Sequence, residues 1–352
     1  IVIYPVPLRK NVPIGRQRVD ASVKPAVSYG WDWHPHLVPT GLWEDAGLVI
    51  KQSKRIDKVE VAYTLSEDLS VANLHFETEV LGGELRYTLY DPEGEVVYKN
   101  ESPSFLLEKP VLWWCRGYGE PKMYRYLAEL LDNGKVIDSQ SGRFGIRRIR
   151  LVMSEGSWDV PYVHPISRCP APSTLELNGV RVFAKGTNWV NPEVFTGTIT
   201  RSRYEELLCL ARDANFNLLR CWGGAIVNKK SFFELCDEYG IMVWQEFTLA
   251  CRSYSESDEY LRVLESEARA IIARLRHHPC LAIWCGGNEL YNHWSRMTDQ
   301  SLPLRLLNSL CYELDRKTPF MATSPLYGMA HGCYLFNYPD GREVFEVMPG
   351  VK

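Results

Sequence analysis

The second half of the sequence alternates short apolar runs with segments of helical periodicity, and this alternation restricts the possible folds more than any other feature. Apolar runs at 182–184, 216–220, 241–244 and 281–285 predict buried strands, and 319–323 predicts a fifth. The segments between them carry apolar residues at helical spacing. Strands that alternate with helices build a parallel sheet covered by helices, so the sequence predicts an α/β domain here.

Polar or aromatic side chains lie where the predicted strands end. These are Asn188, Trp222, Glu246, Asn288 and Glu289. A doubly wound sheet and a TIM barrel both fit the alternation, but functional side chains at the carboxyl ends of successive strands favour the barrel. This half of the sequence supplies about four or five of the eight units that a barrel needs. We therefore expect residues 151–352 to be the N-terminal half of a TIM-barrel catalytic domain, truncated before the barrel closes.

The first 150 residues follow a different pattern. From 51 to 150, short alternating runs with turn signals at 91–94 and 132–134 predict an antiparallel β-sandwich of immunoglobulin-like size. Residues 1–50 are rich in proline and tryptophan and predict the C-terminal part of another β domain. The expected architecture is multidomain, β followed by α/β. A proline-rich connector joins the two parts: Pro161, Pro165, Pro170 and Pro172.

Composition argues against several classes of function. The formal net charge of -3 gives no electrostatic reason to expect nucleic acid or an anionic membrane as a partner. No apolar run is long enough to span a bilayer. The ten cysteines form no C-x-x-C pair and no metal-ligand spacing. This pattern predicts buried free thiols, no metal site and a reducing, cytoplasmic location.

The segment 284–289 carries the residue with the clearest chemical potential. An apolar strand runs into Gly286 and Gly287, which allow a sharp turn and the close approach of a ligand, and then into Asn288 and Glu289. A carboxyl at a strand end inside a pocket is partly desolvated, as a general acid at neutral pH requires. An N-cap or a loop salt bridge is the alternative for an isolated Asn-Glu pair. Its position after a fourth strand of a βα series favours catalysis by Glu289.

With these motifs in order, the chain resembles glycoside hydrolase family 2, and within it the β-mannosidase branch. The resemblance covers nearly the whole length and implies that residues 1–50 are the end of a jelly-roll sugar-binding domain. The stretches that carry it are 29–33 (YGWDW) and 41–43 (GLW), then 112–114 (LWW) and 117–120 (GYGE), then 144–147 (FGIR), 185–189 (KGTNW), 220–224 (RCWGG), 243–247 (VWQEF), and finally His278-Pro279 leading to Asn288-Glu289.

The resemblance also implies roles for individual residues. Glu289 would be the general acid/base, and Asn288 would hydrogen-bond the sugar 2-hydroxyl, a contact that strengthens toward the transition state. Asp32 would bind hydroxyls of the terminal sugar and make the pocket exo-acting. Asn188, Arg220 and Glu246 would be polar groups in or next to the substrate site, although Arg220 and Glu246 could equally form a structural ion pair. The expected pocket walls are aromatic: Trp31, Trp189, Trp222 and Trp294. Trp31 could instead fill a β core.

Two departures from the family pattern accompany the resemblance. The acid/base motif is often Gly-Asn-Asn-Glu, whereas Gly287 replaces the first asparagine here. Glu246 stands where aspartate is common, which extends the carboxyl by one methylene.

Retaining hydrolysis requires a second carboxylate about 5 to 5.5 Å from the acid. In the family this nucleophile comes from the seventh barrel strand, and the sequence stops near the fifth. Glu313, Glu343 and Glu346 have no strand-end setting. We therefore expect the nucleophile to be absent from this chain and the chain alone to be inactive.

The function implied is that of a retaining exo-β-glycosidase that releases terminal non-reducing β-D-mannose, with an oligosaccharide or glycoside as its substrate and no cofactor. Two alternatives remain open. Another family 2 exo-glycosidase, such as a β-galactosidase or an exo-β-glucosaminidase, would share the same scaffold. A non-catalytic carbohydrate-binding protein would keep the pocket and lose the chemistry, although the intact Asn288-Glu289 pair argues against it. The oligomeric state is left open by the sequence.

Overall fold

The computed structural model describes residues 2–3, 23–154, 173–326, 337 and 340–343. The four connector prolines and Glu346 lie outside these residues. Within the described ranges, no helix is both long enough and apolar enough to cross a membrane.

Two antiparallel sheets form the β-sandwich. One has the order β3-β4-β7, and the other has the order β6-β5-β8-β9. Alternate residues of both sheets point into one shared core that includes Phe76, Tyr87 and Leu130. Alternation of this kind is what a two-layer sandwich requires. The strands are β3 Arg55–Leu65, β4 Val71–Leu81, β5 Glu84–Tyr90, β6 Val96–Asn100, β7 Ser104–Glu108, β8 Tyr124–Asp132 and β9 Lys135–Phe144, preceded by a hairpin of β1 Tyr29–Trp31 and β2 His34–His36.

A five-stranded parallel sheet occupies the second half of the chain, with the order β13-β14-β15-β16-β17. Its strands are hydrogen-bonded in sequence order, whereas a doubly wound sheet reverses its order near the centre. The order confirms the barrel-type prediction. The strands and helices are β13 Gly186–Trp189, α1 Arg201–Asp213, β14 Leu218–Cys221, α2 Lys230–Tyr239, β15 Met242–Glu246, α3 Asp258–Leu275, β16 Leu281–Cys285, α4 Leu302–Leu314 and β17 Phe320–Met321.

The segment before this sheet corrects one prediction. Residues 182–184 are not the first parallel strand. Val182 instead ends the last strand of a small antiparallel sheet, which consists of β10 Ile149–Met153, β11 Ser173–Leu177 and β12 Val180–Val182, and the first parallel strand begins only at Gly186. Asn178 and Gly179 both have positive φ, which is the turn that closes a tight hairpin between β11 and β12. The Asn-Gly pair was therefore the local signal for this hairpin.

The sandwich packs against the end of the parallel sheet where the strands begin. Trp113 is fully buried, and its indole Nε1 donates a hydrogen bond to the Asp237 carbonyl at 2.9 Å. The Arg147 guanidinium reaches the Pro279 carbonyl at 2.9 Å and also contacts the Leu281 carbonyl. Both carbonyls lie at the start of β16, so the carboxyl ends of the strands remain clear of the sandwich.

A cluster of charges at the same interface gives the fold a dependence on pH. The Glu60 carboxylate pairs with Lys58 at 2.7 Å, Arg276 at 2.6 Å and His277 at 2.9 Å. Burial by itself raises the pKa of Glu60, but hydrogen bonds from His277 and Lys58 outweigh it and bring the pKa to about 2. Glu60 therefore stabilises the fold above the unfolded-state value of 4.5, and that contribution is lost as the pH falls toward 2.

Glu60→Gln is expected to lower the free energy of unfolding at neutral pH by about 1 to 2 kcal/mol, allowing for solvent screening. Urea unfolding at a series of pH values would measure the difference in the free energy of unfolding between wild type and variant. This difference should shrink as the pH falls from 4.5 toward 2. Glu265→Gln, at a surface pair on α3, is the matched control. A difference in the free energy of unfolding that is the same at every pH would contradict the prediction.

Candidate active site

The loops after β15, β16 and β17 continue the sheet beyond the ends of the strands. Asn288 donates its backbone N–H to the Leu249 carbonyl at 2.9 Å, and Cys251 donates its own to the Asn288 carbonyl at 2.9 Å. On the other side, Glu289 donates to the Ser324 carbonyl at 2.8 Å. The backbone on both sides therefore fixes the position of the Asn288-Glu289 pair.

Glu289 adopts a backbone conformation that is unusual for its residue type. Its φ is +53°, in the left-handed region that non-glycine residues seldom occupy. Such conformations persist where the surrounding structure determines them, and they concentrate at functional sites. Its side chain is half-buried, and carboxylate oxygen Oε2 accepts a hydrogen bond from the Cys251 thiol at 3.3 Å. Its backbone carbonyl accepts one from the Ser295 hydroxyl at 2.6 Å.

Arg220, near the carboxyl end of β14, connects most of the polar residues of the site. Its guanidinium donates to Glu246 Oε1 through Nε at 2.9 Å and through Nη2 at 2.7 Å. Nη2 also donates to Asn288 Oδ1 at 2.6 Å, and Nη1 donates to Asn188 Oδ1 at 2.9 Å. Four strand ends therefore contribute to one network, and Arg220 fixes the orientation of the Asn288 amide because an arginine can only donate.

The Glu246 carboxylate is fully engaged within this network. Its side chain has no solvent exposure. Oxygen Oε2 accepts the backbone N–H of Gly223 at 2.6 Å, and Oε1 also receives the Cys285 thiol at 3.7 Å, in addition to Arg220. Arg220 and Glu246 thus form the ion pair that the sequence analysis gave as an alternative to a substrate-binding role. Arg220 also contacts Asn288, the residue next to Glu289.

Aromatic residues of the β1-β2 hairpin lie against the carboxyl end of β14. The Trp31 ring meets the Trp222 ring edge-on with centroids 4.7 Å apart, and Trp33 lies 5.9 Å from the same ring. The Val27 backbone N–H donates to the Gly224 carbonyl at 2.9 Å and anchors this segment. Exposed Asp32 sits at the hairpin turn between the two tryptophans. The hairpin therefore brings Trp31 and Asp32 to the strand end that carries Arg220.

Of the expected pocket walls, Trp189 is placed elsewhere and Trp294 is exposed on a loop. Trp189 lies on the helix side of the sheet, where its Nε1 donates to Asn228 at 3.1 Å and its ring lies 4.9 Å from Phe232. The reason is strand alternation: Asn188 faces Arg220, so the next residue faces the opposite way. Trp294 is 52% exposed on the loop after Glu289, with its ring perpendicular to His293. The geometry thus does not bring Trp189 to the site, which corrects that prediction.

Sequence reasoning missed two residues of this site. Cys251 contacts both Glu289 and Asn288 but was grouped with the buried thiols. Trp244 lies on the same side of β15 as Glu246, and its ring centroid is 6.0 Å from the Arg220 guanidinium. Strand alternation counted back from Glu246 would have identified Trp244. Cys251 offered no comparable signal, because it lies on a loop beyond the strand.

Gly287 replaces a common asparagine for a steric reason. A Cβ atom at this position would lie 2.3 Å from the Leu249 carbonyl oxygen. Gly287 also has a φ of +154°. The loop after β15 thus approaches the backbone of residue 287 so closely that only glycine fits, and this approach permits the hydrogen bond between Leu249 and Asn288.

One group of metal-ligand residue types lies away from this site, near the start of β16. It consists of Asp237, His278 and Cys280. Their atoms already bond to one another: His278 Nδ1 contacts Asp237 Oδ2 at 2.6 Å, and the Cys280 backbone N–H donates to Oδ1 at 3.0 Å. Burial raises the pKa of the Cys280 thiol well above its usual value. The contacts of Asp237 tie α2 to the start of β16.

Comparison with known proteins gives concordant matches. A family model described as glycosyl hydrolases family 2 matches residues 54–147, and the TIM barrel domain of the same family matches 172–301. A β-mannosidase B from Thermothelomyces thermophilus is 30% identical over 278 residues, which cover 75% of this chain and 31% of that protein. A β-mannosidase B from Emericella nidulans is 30% identical over 276 residues, with the same coverage. The chain spans about a third of the length of the curated relatives it matches.

Solved structures agree with these matches. A β-D-mannosidase from Dictyoglomus thermophilum superposes with a TM-score of 0.71 at 30% identity, covering 85% of this chain and 38% of that one. A β-glucuronidase from Parabacteroides merdae superposes with a TM-score of 0.61 at 20% identity, covering 76% of this chain and 34% of that one, which shows a shared fold.

Proposed function

This chain belongs to glycosyl hydrolases family 2, in the branch that resembles the β-mannosidases, and we propose that it serves the retaining hydrolysis of terminal, non-reducing β-D-mannosides. One observation carries the proposal. Glu289 is half-buried at the carboxyl end of β16, beside an Asn288 whose amide is oriented by Arg220. Retaining hydrolysis needs a carboxylic acid that protonates the leaving-group oxygen, and it gains from a hydrogen bond to the sugar 2-hydroxyl, the two tasks that Glu289 and Asn288 would perform.

In the proposed reaction Glu289 donates a proton to the glycosidic oxygen as the bond to the leaving group breaks. It then accepts a proton from the water that hydrolyses the glycosyl-enzyme intermediate. Asn288 donates to the sugar 2-hydroxyl, where a hydrogen bond strengthens as positive charge develops on the ring.

The nucleophile in this proposal is not Glu246. Both Glu246 oxygens accept hydrogen bonds from the protein, and the carboxylate is paired with Arg220. A nucleophilic carboxylate must instead present an oxygen to the anomeric carbon. We propose that the nucleophile comes from a part of the full-length protein other than the residues described here. The greater length of the relatives is consistent with this.

The β1-β2 hairpin supports an exo mode of action. Trp31 and Trp33 pack on Trp222, and Asp32 lies between these two tryptophans in the sequence, which supports a role for Asp32 at the edge of the site. A carboxylate there would accept hydrogen bonds from hydroxyls of a single terminal sugar, and the hairpin would block a longer chain. Charge-assisted hydrogen bonds are the stronger ones, so Asp32 would contribute to the selection of the sugar.

Hydrolysis of aryl glycosides by the full-length protein tests the proposal. We expect the β-mannoside to have the highest kcat/KM in a panel with β-galactoside, β-glucoside, β-glucosaminide and β-glucuronide, and the first mannose product to be the β-anomer by NMR. Asp32→Asn should lower kcat/KM for the mannoside by roughly tenfold to a hundredfold. Asp45→Asn, at another exposed position of the same segment, is the control. A preference for another sugar, or an α-anomer as the first product, would contradict the proposal.

A further inference from the structure

We infer that Cys251 is a positioning residue, whose thiol holds the Glu289 carboxyl and the Asn288 amide in one arrangement for catalysis. The inference rests on the proposed function, because it assigns Cys251 a task in that same site. Cys251 lies on the loop after β15, five residues beyond Glu246, and is half-buried.

The thiol bridges the two residues directly. Its Sγ donates to Glu289 Oε2 at 3.3 Å and accepts from Asn288 Nδ2 at 3.1 Å. A neutral thiol can do both, because the S–H is a weak donor and the sulfur is a weak acceptor. An alanine at this position could do neither, whereas a serine could do both.

The Asn288 amide has a single orientation that satisfies its neighbours. The guanidinium of Arg220 donates to Oδ1 at 2.6 Å, so the amide nitrogen must point the other way. There it meets the sulfur of Cys251. Without that sulfur, one end of the amide would lose its partner, and the alignment of Nδ2 would depend on Arg220 alone.

The backbone reinforces this arrangement. Cys251 and Glu289 have φ angles of +54° and +53°, so both are non-glycine residues in the left-handed region. They are joined through Asn288, whose carbonyl accepts the Cys251 N–H at 2.9 Å. The two residues with costly backbone conformations, Cys251 and Glu289, are thus the same two whose side chains are hydrogen-bonded. Backbone strain of this kind is concentrated at functional sites, where the surrounding structure maintains it.

Three charged or titratable groups of the Arg220 network bond to one another. Arg220 and Glu246 form the buried ion pair, and the Cys285 thiol donates to Glu246. Burial raises the pKa of Cys285 well above the usual value, so it stays neutral. The thiol of Cys251 links this network to the acid, because it contacts both Glu289 and the Asn288 amide that Arg220 orients.

The test compares Cys251→Ala and Cys251→Ser in the full-length protein, using aryl β-mannosides with leaving groups of different acidity. A poor leaving group needs the proton from Glu289, and a highly acidic one does not. We expect Cys251→Ala to lower kcat on the order of tenfold to a hundredfold for the poor leaving group, and much less for the acidic one. Cys251→Ser should restore most of the loss. Cys311→Ala, which removes a buried thiol on α4, is the matched control.

Each result bears on the inference in a definite way. A loss that depends on the leaving group and is recovered by serine supports it. An equal loss for all leaving groups would indicate a packing role and overturn it, as would a Cys251→Ala protein that is as active as wild type. A wild-type protein that hydrolyses none of the glycosides would overturn the proposed function itself, a result distinct from failure of the inference alone.

Discussion

Replacing Glu289 by alanine is expected to lower kcat/KM of the full-length protein on aryl β-mannosides by roughly 10²- to 10⁴-fold when the leaving group is poor, because general acid catalysis contributes about that much. Glu289 is not part of the buried ion pair of Arg220 and Glu246, so its removal leaves that pair in place. The fold should therefore survive. Steady-state rates with a series of substituted phenols as leaving groups would measure the effect.

The pattern across that series distinguishes an acid/base residue from a structural one. With a highly acidic phenol the first step needs no proton, so the glycosyl-enzyme intermediate should still form and its hydrolysis should become slow. Added azide, which attacks without a general base, should then increase turnover and yield a β-glycosyl azide. Glu206→Ala, at an exposed position of α1, is the control and should match wild type. A uniform loss across all leaving groups, with no effect of azide, would argue against the role of Glu289.

Replacing Arg220 by methionine is expected to be the most destabilising change in the site, with a loss of about 3 to 5 kcal/mol in the free energy of unfolding. The Arg220 side chain is 12% exposed and that of Glu246 is 0% exposed, so the variant would leave a carboxylate buried without its cation. Asn188 and Asn288 would also lose their donor. Urea unfolding of wild type and variant would measure the loss, and activity should disappear with it.

A second substitution isolates the cause. Adding Glu246→Gln to Arg220→Met removes the uncompensated charge and keeps an oxygen that can accept the Gly223 N–H. We expect this double variant to regain a large part of the lost stability but not the activity, because the Asn288 amide would still lack its orienting partner. If the free energy of unfolding of Arg220→Met lies within about 1 kcal/mol of the wild-type value, the buried ion pair contributes no more than a surface pair does, which would contradict the prediction.

The sequence was sufficient to predict the later strands of the parallel sheet, because buried strands leave continuous apolar runs, but it misplaced the first strand, Gly186–Trp189, which has no such run. It located Glu289 for the same reason: a carboxyl that follows such a run must lie at the end of the sheet. Family resemblance supplied Trp31 and Asp32, and the contact of Trp31 with Trp222 depends on packing between segments almost two hundred residues apart. No local pattern encodes that contact.

The errors also have physical causes. The family resemblance implied that Trp189 lines the pocket, but side-chain direction alternates along a strand and Asn188 already occupies the inward position. Cys251 was overlooked because it lies on a loop and itself has a positive φ, which determines the direction of its side chain. A positive φ at a non-glycine residue leaves no recognisable pattern in the sequence.

The fit between Gly287 and the Leu249 carbonyl has a consequence for engineering. A designer who restored the family's usual asparagine at 287 would force the two loops apart and move the very segment that bears Glu289. The turns after β15 and β16 consequently depend on each other sterically. Grafting between homologues, or ancestral reconstruction of this branch, has to exchange both turns together.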